Sequence, residues 1–265
     1  MVLAMVVGCM QGGAKAQGVM AISELLFQPR SGEAEYVELY NISDDAAELS
    51  DYLIVRWIGD SLGKHYTLPQ HIVEGHSYVV LTKDVASVEA NYTVKYRDRL
   101  VECALPTYPN DGGSVVLALA DSTVTERLDY TTAMHSRLLR NKAGVALERR
   151  SFERPSNDAG NWFSAASTVG YGTPGYANSQ STEWLVEEAA VELSSTLVSP
   201  DGDGYQDEVV LRYRMDDGDI YASILLFDIH GNEVRRLLND GLLGTQGEVV
   251  WDGRGEGGRM LPRGR

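Results

Sequence analysis

Cysteine is almost absent from these 265 residues: Cys9 and Cys103 are the only two. No disulfide framework can be drawn from them, and no cysteine cluster is present to hold a metal. Cys103 reads as a small core residue. Phenylalanine is scarce as well, 4 residues against 14 tyrosines, a bias suited to half-buried strands with wet ends. No apolar run approaches the roughly 20 residues that a membrane-spanning helix needs. Positive charge is in deficit, with 23 Lys+Arg against 38 Asp+Glu and a net charge of −15. Such a surface repels phosphate backbones, which argues against nucleic acid as the main ligand. Catalytic signatures are missing too. There is no phosphate-binding loop, dinucleotide fingerprint, H-E-x-x-H helix or G-x-S-x-G elbow.

What is present begins with MVLAMVVGCM over residues 1–10, an apolar run of leader length followed by QGGAKAQG. Ala14 and Ala16 supply the small residues a signal peptidase reads, so residues 1–16 are expected to be a signal peptide cleaved before Gln17. The rival reading takes Val6-Val7-Gly8-Cys9 as a lipobox and Cys9 as a lipid anchor. Either way the protein is expected to be exported, to the cell surface, the medium or the periplasm.

Glycine, at 27 residues, punctuates short apolar or alternating runs in the pattern of sandwiches and barrels. Strands are expected over 20–27, 35–40, 52–58, 77–82 and 114–120, and a turn or two of helix over 84–91. In the first half Val37 and Leu39 are expected to face the core, with Glu38 and Tyr40 facing out. Residues 170–181 (GYGTPGYANSQS) have the composition of a domain edge. The segment 184–193 fits a strand or a short helix. Beyond it, Val209, Leu211, Tyr213 and Met215 alternate with Val210, Arg212, Arg214 and Asp216, which is a strand with one wet face. A hairpin over 223–238, turning at His230-Gly231-Asn232, precedes a last strand at 248–251. Both halves are acidic, with 15 basic and 21 acidic residues over 1–180 and 8 and 17 over 181–265.

The strongest chemical constellation is Asp201-Gly202-Asp203-Gly204-Tyr205-Gln206-Asp207-Glu208. Carboxylates from Asp201, Asp203 and Asp207 with a carbonyl from Tyr205 can wrap a hard cation such as Ca²⁺, in a structural role. The competing reading is a connector rich in Asx turns. His65, His71 and His76 fall close together in sequence, but their strand–turn–strand setting does not imply the convergence zinc requires. Glu35 and Glu38 lie on opposite faces of one strand. Glu24 and Glu38 sit on strands expected to be adjacent, and a solvated or hydrogen-bonded pair is favoured there over a catalytic one. No catalytic residue is assigned. Trp57, Trp162, Trp184 and Trp251 are spread over separate elements, which speaks against a single stacking platform, and Trp162 reads as a sandwich anchor.

The residues ISELLFQP at 22–29, EYVELYN at 35–41 and LSDY at 49–52 resemble a bacterial lamin tail domain. So do Leu147-Glu148-Arg149, Asn161-Trp162, Ala165-Ala166-Ser167 and TPGYANS at 173–179. The resemblance covers about 19–180 and implies an immunoglobulin-like β-sandwich. The second half, through SPDGDGYQD at 199–207, FDIHGN at 227–232 and Trp251-Asp252-Gly253, resembles the immunoglobulin-like domain of flagellar hook-capping proteins. Members of that type run on into a further strand, so the second sandwich is expected to lack its last one. The expected layout is all-β: leader 1–16, lamin tail domain 17–180, linker 181–194 and a second immunoglobulin-like domain over 195–265. Three functions follow as expectations. One is a non-catalytic exported protein that attaches to surfaces or binds an unknown protein or surface glycan. The others are an accessory portion of a secreted nuclease or phosphatase, and a calcium-dependent adhesin. Contacts are expected from the loops at 59–64 and 108–113.

Overall fold

The computed structural model describes residues 18–58, 61–182 and 190–262, so the expected leader, with Cys9, lies outside the described residues. Among the described residues the fold is all-β, with one short α-helix and several 3-10 turns. The first unit contains β1 (Met20–Leu26), β2 (Tyr36–Asn41), β3 (Ala47–Glu48), β4 (Tyr52–Ile58), β5 (Ser61–Thr67), β6 (Ile72–Val73) and β7 (Tyr78–Thr82). Helix α1 (Val85–Asn91) then precedes β8 (Leu100–Glu102), β9 (Gly112–Leu119), β10 (Val124–Thr131), β11 (Leu147–Arg149) and β12 (Trp162–Ser164). Asp84 caps the helix, its carboxylate accepting from the Ser87 amide at 3.0 Å, the role Asp plays at helix starts.

These strands form a six-stranded sheet in the order β12-β11-β1-β2-β7-β8 facing a four-stranded sheet in the order β10-β9-β4-β5. Ile22, Leu25, Val37, Leu39, Val79 and Leu81 from the first meet Tyr52, Ile54, Val115, Leu117, Leu128 and Tyr130 from the second. Burying each such side chain fully is worth about 1.5–3 kcal/mol. Trp162 joins this core, and its Nε1 donates to the Ser156 carbonyl at 2.8 Å. Cys103 packs against the same core, and burial pushes its thiol up to about 11.

Strand β1 does not keep one phase. Its register slips between Ile22 and Glu24, a bulge that lets both Ile22 and Leu25 reach the core although they are three apart. Without the slip Glu24 would follow Ile22 inward. The backbone groups freed at Ile22 are taken by side chains. Its amide donates to Glu126 Oε2 at 2.7 Å, and its carbonyl accepts from Arg149 Nη1 at 3.1 Å. Arg149 and Glu126 are themselves an ion pair at 3.0 Å.

The outer face of the six-stranded sheet is not left to water. Helix α1 covers one part through Val85 and Val88, which pack with Leu26, Tyr36 and Val80. Residues 173–181 cover the rest, and Glu38, expected to face out, is fully buried beneath them.

The second unit comprises β13 (Ala190–Leu193), β14 (Val209–Arg214), β15 (Ile220–Phe227), β16 (Glu233–Leu243) and β17 (Gln246–Trp251). They form a three-stranded sheet, β13-β14-β17, and the β15-β16 hairpin. Strand β13 lies within the stretch expected to be a linker, yet it pairs along β14. The units are joined by buried bonds: Thr245 donates its amide to the Ser179 carbonyl at 2.9 Å and its hydroxyl to the Ser181 carbonyl at 2.6 Å. Ser167 Oγ donates to Leu242 O at 2.7 Å, and Arg150 pairs with Asp217 at 2.6 Å.

Gly244 sits so close to Ser179 that a Cβ there would overlap its backbone carbonyl. Gly244→Ala is therefore expected to separate the units. Calorimetry should resolve two melting transitions where the parent protein melts in one, and proteolysis between residues 182 and 190 should speed up.

Candidate functional site

Three glutamates stand side by side on the outer face of the six-stranded sheet. Register pairs Glu24 with Glu38 across β1 and β2, and Glu24 with Glu148 across β1 and β11. All three are fully buried. Segment 173–180 is laid over them and points its donors down. Glu24 accepts from Tyr36 Oη at 2.7 Å and from the Thr173 amide at 3.0 Å. Glu38 accepts the Gly175 amide at 2.7 Å. Glu148 accepts Ser179 Oγ at 2.7 Å and the Gln180 amide at 2.9 Å.

The Thr173 hydroxyl lies between two of them, 3.0 Å from Glu24 Oε2 and 2.9 Å from Glu148 Oε1. A hydroxyl has one proton to give. Both contacts are hydrogen bonds only if one carboxyl is protonated and donates to Oγ1 while Oγ1 donates to the other. Burial first, and then the Glu148 charge, push Glu24 up to about 8. Burial and the neighbouring Glu24 hold Glu38 well above the usual carboxylate range. Burial also raises Glu148, against the opposing pull of its Ser179 and Thr173 donors. Within the Glu24–Thr173–Glu148 chain the upward shift of Glu24 favours its protonated form.

Shifted carboxylates often mark catalytic sites, but these have no path to a substrate, because the strand pairs enclose them on one side and the 173–180 segment on the other. His135 and Ser164 repeat the lesson. They are bonded at 2.9 Å in the arrangement of a base and a nucleophile, yet both are buried, and burial lowers His135 to about 4. Neither Glu148 nor His135 was picked out from sequence as a candidate. Their signal would have been a charged or titratable residue at an inward position of a short strand or turn.

The acidic loop before β14 gathers its carboxylates. Ligand oxygens from Asp201, Asp203 and Asp207 lie within 4.8 Å of one another, the spread allowed by oxygen ligands at about 2.3–2.6 Å from one calcium ion. The same carboxylates also accept backbone amides. Asp207 takes Gly202 and Gly204 at 2.7 and 2.8 Å, Asp201 takes Asp203 at 3.2 Å, and Asp203 takes Tyr205 at 2.7 Å. Tyr205 enters through that amide, with its ring exposed. Both features anticipated for this stretch, clustered carboxylates and Asx turns, coexist in it.

The three histidines do not converge. His65 is exposed on β5, the His71 amide donates to Glu48, and His76 bonds Asp44 at 2.8 Å. Of the expected contact loops, the second keeps an exposed turn at 109–111. Residues 59–60 lie outside the described residues, and 61–64 belong to β5. Tyr108 is core, packed edge-on to Tyr130. Trp57 is half-buried with the Arg127 guanidinium 4.3 Å over its ring. Tyr108 packs in the core between the sheets, and Trp57 packs with Val55 and Val116 on the other face of the four-stranded sheet.

Residues 14–132 match the family model of the lamin tail domain, an immunoglobulin-like, non-catalytic module. Strands β11 and β12 and the 173–180 segment follow the matched stretch, yet they complete its six-stranded sheet and cover it. Comparison with curated proteins finds no match. Among the described residues no helix is long and apolar enough to cross a membrane.

Replacing Glu24 with Gln tests the proton assignment. The folded chain holds a proton on Glu24 between the ordinary carboxylate value and about 8 that the unfolded chain releases. Its stabilising contribution is fully present below that interval and is lost as pH rises through it. In Glu24→Gln the new side-chain amide donates to Thr173 Oγ1 as the protonated acid does. Urea midpoints of the parent are therefore expected to fall from pH 5 to pH 8 and those of Glu24→Gln to fall less. Equal slopes would place the proton elsewhere.

Proposed function

We propose that the protein is a non-catalytic, exported interaction protein, in which the lamin tail module and the second β-unit act together in surface attachment or partner binding. The observation that carries this reading is the sealed glutamate row. Its carboxyls, raised by burial and placed where acid–base chemistry would be sought, are occupied in holding residues 173–180 to the sheet. The match of residues 14–132 to a non-catalytic module points the same way. The second unit, a small sheet beside a hairpin, is read as an immunoglobulin-like domain of the hook-capping type, and its tight docking suits a rigid binding body.

Export rests on the leader-like start and the Ala14-Lys15-Ala16 site. Fractionation of the source cells followed by intact-mass measurement tests it. The expected product lies outside the cytoplasm and either begins at Gln17 or carries lipid on Cys9. A cytoplasmic product retaining Met1 would sink the export reading. Hydrolase assays on the purified chain are expected to be blank. A catalytic domain on the same native polypeptide would turn the protein into the accessory portion of a secreted hydrolase.

The convergence of Asp201, Asp203 and Asp207 supports a second reading, calcium-dependent adhesion, in which Ca²⁺ stiffens the loop before β14. A cation selective for the native state raises its melting temperature, by on the order of a few degrees for each kcal/mol gained. Calorimetry in calcium chloride and in chelator is expected to reveal that rise. Asp203→Asn, which keeps an acceptor for the Tyr205 amide, is expected to abolish it. A rise that survives the substitution places the ion elsewhere, and no rise leaves the loop an Asx-turn connector.

A further inference from the structure

Between the two units lies an open cleft of roughly 750 Å³, within the about 300–1,000 Å³ usual for ligand sites and at the kind of junction where they concentrate. One wall is a face of the β13-β14-β17 sheet. Register sets its side chains in two cross-strand rows, Glu192–Arg212–Glu248 and Ala190–Arg214–Gln246. In the first row Arg212 is flanked by two carboxylates and bonds Glu248 at 2.7 Å. In the second, Arg214 stands between a methyl and an amide and has no ion-pair partner among the described residues.

The opposite wall is the loop after α1. There the Lys95 ammonium sits 4.0 Å over the Tyr176 ring, and the Arg99 guanidinium 4.1 Å over the Tyr96 ring. Arg99 also donates to the Gly175 carbonyl at 2.7 Å. Neither cation meets a carboxylate among the described residues. Three cations with no such partner therefore line one concavity of a chain whose net charge is −15. Other cations, Arg137 and Arg140 among them, also lack an ion pair among the described residues; what distinguishes these three is that they line one concavity, which makes the cleft a local anion site.

The remaining lining narrows the anion's chemistry. Glu192, Glu248 and Gln246 offer acceptors beside the cations, and Tyr96, which is exposed, offers a ring. A run of phosphates would meet both the glutamates and the overall negative charge. A ligand with an isolated carboxylate, many hydroxyls and an apolar ring face fits every part. The carboxylate takes the planar fork of an arginine, and the hydroxyls donate to the glutamates.

We propose that this cleft binds a short acidic glycan, an oligosaccharide carrying uronic acid residues, with Arg214, Arg99 and Lys95 holding its carboxylates. The proposal rests on the interaction reading above and names the ligand class for it.

The test is calorimetric titration of the full chain with a trigalacturonate, its neutral methyl ester and a triglutamate peptide. Trigalacturonate is expected to bind, and esterification, raised salt and Arg214→Gln are each expected to weaken it by about tenfold or more. Because Arg214 has no ion-pair partner among the described residues, its substitution should leave the melting temperature unchanged, which separates lost binding from lost fold. Lys95→Gln is expected to weaken binding in the same direction. No trigalacturonate binding, binding that ignores Arg214→Gln, or equal binding of the ester would overturn the proposal. Preference for triglutamate would also overturn it and would make the cleft a peptide site. A failure here leaves the export measurement standing, so the two readings fall separately.

Discussion

A row of three buried glutamates, Glu24, Glu38 and Glu148, and the donors laid over it tie residues 173–180 to the six-stranded sheet. Buried carboxylates are costly unless each lone pair finds a donor or the charge is removed. Here both remedies are used. Segment 173–180 supplies amides and hydroxyls, the upward shift of Glu24 favours its neutral acid, and Glu38 Oε1 is left without a hydrogen-bond partner among the described residues. The glutamates need the segment to be satisfied, and the segment needs the glutamates to be ordered. Its Gly-Pro-Ser composition carries little apolar area to bury on its own account, so its order comes from polar bonds.

The second unit depends on this seal at one remove. Its most buried contacts, from Leu242 through Thr245, are made to Ser167, Ser179 and Ser181. The same segment that closes the glutamate row on its inner side presents carbonyls to β16 and the turn after it on its outer side. Tyr176, from the middle of that segment, reaches the cleft and takes Lys95 over its ring. The cleft's shape is therefore inherited from polar chemistry buried several residues away.

Much of the fold was legible. The runs at 20–27, 35–40, 52–58, 77–82 and 114–120 became strands whose bounds moved by no more than two residues, because alternation in a two-layer sandwich follows directly from burial. Helix α1 was legible as a turn or two over 84–91, and the structure adds its Asp84 cap. Strand β13 was not, since its residues are mostly exposed and are recruited by the edge of β14 rather than by a hydrophobic face. Glu38 was placed outward correctly as to face, but its burial depended on what covers that face. The bulge in β1 was equally hidden. It needs Glu126 and Arg149, both more than a hundred residues distant, to satisfy the freed backbone of Ile22.

The sequence by itself determined the class, all-β, the turn positions, the acidic surface and the clustering of Asp201, Asp203 and Asp207, because each follows from local pattern or from neighbours a few residues apart. The tertiary structure alone decided that three glutamates from three strands form one row, that a linker-like segment is their cover, and that Lys95, Arg99 and Arg214 line one cleft. Such features are sums over long-range pairs. The cost of a buried charge, and the pull of an unpaired cation, depend on what the rest of the chain brings beside it.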